Sequence, residues 1–146
     1  MERIAVFPGS FDPFTLGHKA VLDSALPLFD KIYIAIGCNS SKKSFFTIEK
    51  RIANISALYK GNENIIIETY DTLTIDFCKK VNASFILRGL RNVTDFEYEQ
   101  TIAQTNKQLS GIETVFIVTP PEFSNISSSI VRELLSYGAD VSNYIP

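Results

Sequence analysis

The sequence predicts an α/β fold: a doubly wound, five-stranded parallel sheet with helices on both faces. Three observations carry that expectation. Short apolar runs alternate with longer amphipathic segments along all 146 residues. The runs are rich in Ile, Val, Phe and Tyr and are strand-length. The first two and the last are nearly continuous in apolar character, as strands covered on both faces should be. A β-α order maintained from end to end implies a parallel sheet flanked by helices.

The elements follow in order. Strands are expected at 3–7, 31–37, 64–69, 84–87 and 113–118. A helix over 18–29 places Val21, Leu22, Ala25 and Leu28 on one face, and Pro27 threatens its last turn. The next, over 48–59, carries Ile48, Ile52, Ile55 and Leu58 at helical spacing behind Thr47 as N-cap. Helices at 73–81 and 95–109 come next, the latter stopped by Ser110-Gly111. The last clear helix is 127–137, with Gly138 just beyond it. No repeat, low-complexity tract or linker interrupts the chain, so one domain over 1–146 is expected.

Composition narrows the function. Apolar residues make up 45% and charged residues 21%, an ordinary globular balance. The formal net charge of −2 lacks the basic excess of a dedicated nucleic-acid binder. There is no apolar run of membrane-spanning length and no signal-peptide pattern at the N-terminus, so the cytoplasm is the expected compartment. Cys38 and Cys78 match no metal-ligand spacing and read as reduced, partly buried thiols.

In open parallel sheets, ligands sit beyond the carboxyl ends of the strands. Four loops there carry suitable chemistry. The first runs from Pro8-Gly9-Ser10-Phe11-Asp12-Pro13 to Thr15-Leu16-Gly17-His18. Gly17 lets a phosphate approach the backbone, and His18, the only histidine, opens a helix whose free N–H groups favour an anion. The second, Ser41-Lys42-Lys43-Ser44, offers cations among hydroxyls. The third, Arg88-Gly89-Leu90-Arg91, follows a buried strand. Guanidinium forks there suit phosphate, with ion pairs to Asp95, Glu97 or Glu99 as the rival reading. The fourth, Ile126-Ser127-Ser128-Ser129, begins the last helix with three hydroxyls; no Walker P-loop is present.

Together these stretches resemble the nucleotidyltransferase superfamily marked by His/Thr-x-Gly-His and Ile-Ser-Ser-Thr/Ser-x-x-Arg/Lys. Within it, Arg88-Gly89-Leu90-Arg91 and Asp95-Phe96-Glu97-Tyr98-Glu99 are most similar to the phosphopantetheine adenylyltransferase family. The resemblance implies a Rossmann-like fold and transfer of AMP from ATP to 4′-phosphopantetheine. The products are dephospho-coenzyme A and pyrophosphate, in the penultimate step of coenzyme A synthesis. It further implies Mg²⁺ as cofactor, a homohexamer and no dedicated metal-ligating residues. Carried over position by position, Ser10, Lys42 and His18 are the catalytic residues, Ser10 and His18 contacting phosphates around the reacting phosphorus. Lys42 and Arg88 hold the phosphate of the acceptor, with Ser10, and Thr74 touches its arm through the backbone. ATP would be bound by Ser10, Phe11, His18, Gly89, Leu90, Arg91 and Glu99. It would also meet Phe123, Ser124, Asn125, Ile126, Ser127, Ser128 and Ser129. Ser10 stands where threonine is common. The family usually continues into another helix beyond Tyr144-Ile145-Pro146. An attacking phosphate is already ionised, so no strong general base is expected, and alignment plus charge stabilisation should carry catalysis. A sister enzyme acting on a pyridine mononucleotide or a polyol phosphate would share the nucleotide half of such a site.

Overall fold

The computed structural model describes residues 1–39 and 43–146; the expected contribution of Lys42 lies outside the described residues. Five parallel strands form one sheet in the order β3-β2-β1-β4-β5, a Rossmann-like doubly wound arrangement. They are β1 (Ile4–Gly9), β2 (Lys31–Gly37), β3 (Ile65–Tyr70), β4 (Phe85–Leu90) and β5 (Glu113–Val118). The helices between and after them are α1 (Leu16–Ala25), α2 (Ile48–Leu58), α3 (Thr74–Lys80), α4 (Val93–Ser110) and α5 (Ser128–Ser136). Among the described residues, no helix is long and apolar enough to cross a membrane.

Local chemistry sets the element ends. Thr15, Thr47, Asn92 and Ser127 cap the starts of α1, α2, α4 and α5, each side chain accepting a first-turn N–H. Asn92 starts α4 two residues earlier than the expected 95. Thr15 likewise starts α1 at Leu16 rather than at His18. Pro27 does shorten α1, whose last turn becomes a 3₁₀ turn over Leu26–Leu28. Gly111, at φ 77°, closes α4 in the left-handed conformation.

Alternation along the central strands splits the core. Ala5 and Phe7 of β1 pack with Leu22, Ile34, Ile36, Ile55 and Leu87 on one face. Ile4 and Val6 pack with Ala35, Ile75, Phe77, Cys78 and Ile86 on the other. Burial there pushes the Cys78 thiol up to about 11, so it stays protonated and inert. Helix α4 is different. Its only buried residue is Glu99, and none of its residues belongs to either core cluster.

One difference from the sequence reading matters for the site. Strand β4 does not stop at Leu87 but runs to Leu90, because Arg88, Gly89 and Leu90 pair with Phe116, Ile117 and Val118 of β5. On its other side β4 loses its neighbour. β1 pairs with β2 from Ile4↔Lys31 to Gly9↔Ile36, yet with β4 only at Ala5↔Phe85 and Val6↔Ile86. Pro8 explains the break. Its carbonyl faces β4, and a strand residue directs its N–H and C=O to the same side; proline has no N–H to give. The Pro8 carbonyl instead accepts a bond from Arg88 Nη1 at 2.7 Å.

Gly89 also reads differently in three dimensions. A Cβ built on it would lie 2.7 Å from Cγ2 of Val21 on α1, so the bare backbone serves helix-on-strand packing. Val21 is buried and β-branched and cannot yield cheaply. Gly89→Ala should therefore destabilise the chain by about 1–3 kcal/mol, and adding Val21→Ala should recover part of the Gly89→Ala loss. Denaturant unfolding of the two single variants and the double variant measures this. A Gly89→Ala midpoint equal to the parent's would refute the packing account.

Candidate active site

The parting of β1 and β4 opens a cavity at the carboxyl edge of the sheet. Ser10, Phe11 and His18 line it, as do Arg88, Gly89, Arg91, Glu99, Ile126, Ser127 and Ser128. Leu90, Phe123, Ser124, Asn125 and Ser129 lie outside that lining. Thr74 begins α3 beyond the end of β3, on the same edge but away from the cavity, and its hydroxyl is 3.0 Å from that of Tyr70. The structure adds residues that the sequence did not place in the site: Val21 and the buried Thr119. Thr119 had a signal, a polar residue closing an apolar strand. Val21 had none, because it reads as core.

His18 is set by its own helix cap. Thr15 Oγ1 accepts the His18 N–H, and the Thr15 N–H donates to His18 Nδ1 at 2.9 Å, a reciprocal capping box. An Nδ1 that accepts carries no proton, so the neutral ring bears its N–H on Nε2. The ring packs against Phe11 at 5.0 Å, Phe14 at 5.4 Å and Phe7 at 6.4 Å between centroids. Burial, and then the positive charges of Arg88 and Arg91, pull the imidazole from 6.5 down to about 3. It is therefore a neutral donor at physiological pH, not a cation.

Two helix N-termini face the cavity. In the first turn of α1, the Leu16 N–H goes to the Tyr144 carbonyl and the His18 N–H to Thr15, leaving the Gly17 N–H without a partner among the described residues. A Cβ on Gly17 would meet only ordinary contacts, the nearest at 3.5 Å. In α5, Ser127 caps Ile130 and Ser128 donates to the Pro13 carbonyl at 2.8 Å. Ser129 accepts from Arg132. The serine run thus does structural work with its hydroxyls, while the N–H groups of Ser128 and Ser129 have no partner among the described residues.

Both arginines are paired. Glu99, itself buried, takes Arg88 in a fork, with Nε to Oε2 at 3.0 Å and Nη2 to Oε1 at 2.5 Å. With the Pro8 bond, three of the five N–H donors of Arg88 are used, and two remain. Arg91 holds Asp95 through Nε at 2.9 Å and Nη2 at 3.1 Å. Burial pushes the Asp95 carboxyl upward, but the hydrogen bonds and charge of Arg91 outweigh it and hold it below its usual value.

The first loop is braced from outside the cavity. Asp12, buried, accepts the N–H groups of Phe45 and Phe46 at 2.7 and 2.8 Å. Arg132 reaches the Asp12 carbonyl and Arg51 the Ser10 carbonyl, both at 2.8 Å. No cluster of three or more His, Cys, Asp or Glu side chains able to hold a metal occurs among the described residues.

Comparison with known proteins agrees with this geometry. The cytidylyltransferase-like family matches residues 6–134. The phosphopantetheine adenylyltransferase of Bacteroides thetaiotaomicron is 54% identical over 99% of this chain and 95% of its own. That of Christiangramia forsetii is 50% identical over 97% of this chain and 94% of its own. Among solved structures, a bifunctional NMN adenylyltransferase/ADP ribose pyrophosphatase from Francisella tularensis superposes with a TM-score of 0.77. It is 18% identical and covers 99% of this chain and 45% of that one. The nicotinic acid mononucleotide adenylyltransferase of Plasmodium falciparum, complexed with NaAD, gives a TM-score of 0.68 at 20% identity, over 99% of this chain and 91% of that one. At such identities the solved structures speak for the fold alone. The near-complete relatives at half identity speak for more: this chain belongs to the cytidylyltransferase-like family and, within it, to the phosphopantetheine adenylyltransferases.

Proposed function

We propose that the chain transfers AMP from ATP to 4′-phosphopantetheine, giving dephospho-coenzyme A and pyrophosphate in the bacterial cytoplasm. One observation carries the reading. A neutral Nε2–H donor and two open helix N-termini converge on one cavity whose carboxylates, among the described residues, are both held by arginines. Such a site suits a reaction whose nucleophile is already an anion and whose difficulty is charge on phosphorus.

An oxygen of the acceptor phosphate attacks the α-phosphorus of ATP. A new P–O bond forms as the bond to pyrophosphate breaks, and pyrophosphate leaves with its electron pair. His18 Nε2–H and the Gly17 N–H donate to the oxygens of the reacting phosphoryl group. The α5 N-terminus, through Ser128 and Ser129, takes the departing phosphates. Ser10 lines the same cavity and would contact the phosphates with them. Arg88, held by Glu99, offers its two remaining donors to the acceptor phosphate with Lys42, and Thr74 meets the pantetheine arm. Arg91 and the 123–127 segment hold the nucleotide. Mg²⁺ fits here as part of the ATP substrate. Among the described residues the cavity carboxylates Asp95 and Glu99 are both engaged by arginines, so the ion would be held chiefly by the phosphates it enters with. When bound, it neutralises charge on the pyrophosphate.

We further propose a homohexamer. Val93, Phe96, Tyr98, Ile102 and Leu109 of α4 and Val118 of edge strand β5 are exposed, which supports a covered face there. Sedimentation should give six times the chain mass; a monomer at micromolar concentration would refute the assembly.

A pyrophosphate-release assay with phosphopantetheine, nicotinamide mononucleotide and glycerol 3-phosphate tests the acceptor. Release with phosphopantetheine alone is expected, with inversion at a chiral α-phosphorus. Preference for another acceptor would overturn the assignment, and retention or an isolable adenylylated protein would overturn the direct step.

His18→Gln separates the roles of His18. Turnover should fall far more than ATP affinity, because the bond is worth most in the transition state. The folded chain keeps His18 neutral down to about pH 3, whereas the unfolded chain protonates it below 6.5. The histidine's contribution to stability is thus complete above pH 6.5 and drains away as pH falls toward 3. His18→Gln should remove about one proton from that slope, read by unfolding across the same range. An unchanged slope would contradict the neutral ring.

A further inference from the structure

We infer that Arg51 is a positioning residue for the ATP phosphates: it aims the Ser10–Phe11 peptide N–H into the cavity from behind. The inference rests on the adenylyl-transfer reading above. Arg51 lies on α2, does not line the cavity and is 7% exposed. A buried guanidinium ordinarily has a carboxylate beside it. Among the described residues, Arg51 forms no ion pair, and its Nε is buried without any hydrogen-bond partner. Among the described residues its guanidinium makes one hydrogen bond, Nη1 to the Ser10 carbonyl at 2.8 Å.

That bond fixes more than one atom. A trans peptide is planar, with its C=O and N–H pointing opposite ways. Drawing the Ser10 carbonyl toward Arg51 turns the Phe11 N–H away from it. Ser10 and Phe11 line the cavity and Arg51 does not, so the N–H is turned toward the cavity side. The Phe11 N–H has no acceptor among the described residues. Phe11 also sits at φ 47°, a left-handed conformation that a non-glycine residue adopts only when its surroundings enforce it. Arg51 from α2 and the Phe7, Phe14 and His18 rings enforce it here. Backbone N–H groups around such a residue form a small anion-binding concavity. The unpaired charge of Arg51 lies directly behind it and adds attraction for phosphate.

The test uses the full chain with ATP as the probe. Arg51→Met should weaken ATP binding about tenfold by calorimetry while the KM for phosphopantetheine stays unchanged. Arg51→Lys, which keeps the charge and can reach one carbonyl, should recover most of the loss. A purely structural brace would instead lower stability and affect both substrates alike, and that result overturns the inference. A second measurement needs no variant. The Phe11 amide proton of the unaltered chain should move strongly downfield when ATP is added; ATP binding that leaves it unmoved also overturns the inference. A parent chain that binds no ATP would instead refute the adenylyl-transfer reading itself.

Discussion

The site depends on a sheet that stops being a sheet at its centre. β1 is the middle strand, and its ladder with β4 ends after Val6↔Ile86. Pro8 cannot donate there, and Arg88 satisfies its carbonyl from the side. The wedge that results lies at the point where strand order reverses, which is where open α/β sheets bind ligands. Ser10, His18 and the α1 N-terminus come from one lip of that wedge. Arg88, Gly89 and Arg91 come from the other. The α5 start closes the mouth through the Ser128 bond to Pro13. Proline thus does at one position what a loop insertion would do elsewhere: it makes room while both flanking strands keep their outer partners.

Polar groups, rather than apolar burial, hold the parts that must meet phosphate. Helix α4 buries only Glu99, whose partner is the site arginine Arg88. The first loop is tied down by Asp12, Arg51, Arg132 and Ser128, each bonding to backbone. A side chain that bonds a carbonyl or N–H fixes a peptide plane, so these contacts set where donors point. Ordinary core packing, such as Leu22 against Ile34, fixes only where α1 lies.

The sequence made much of this legible. All five strands and their parallel arrangement followed from apolar runs and β-α alternation, and the cap at Thr47 and the Pro27 break were visible as residue types. The strand-end rule gathered four loops onto one edge before any geometry was known. What escaped was long-range. Arg88-Gly89-Leu90 reads as a turn because an arginine and a glycine follow an apolar run, yet pairing with β5 keeps it extended. Gly89 reads as a phosphate glycine, but Val21 fills the space over it. Arg51 sits three residues after Ile48 and four before Ile55, so helical periodicity puts it on the apolar face of α2. What no local pattern records is its partner, the Ser10 carbonyl of the first loop. The ion-pair reading of the arginines stood as the rival for one of them; the folded chain applies it to both.

Those two ion pairs have a consequence for how the chain meets its substrates. Arg88 and Arg91 each face a tethered counter-ion, and the whole chain is slightly acidic. Such internal salts contribute almost no net charge, so the field of these two arginines fades as a dipole's does and not as a point charge's. A polyanion in solution feels little pull from them until it arrives. Recognition is then a matter of contact distance, decided by how many oriented N–H groups one phosphate chain can engage together, and simple anions with fewer oxygens have little to gain by lodging there.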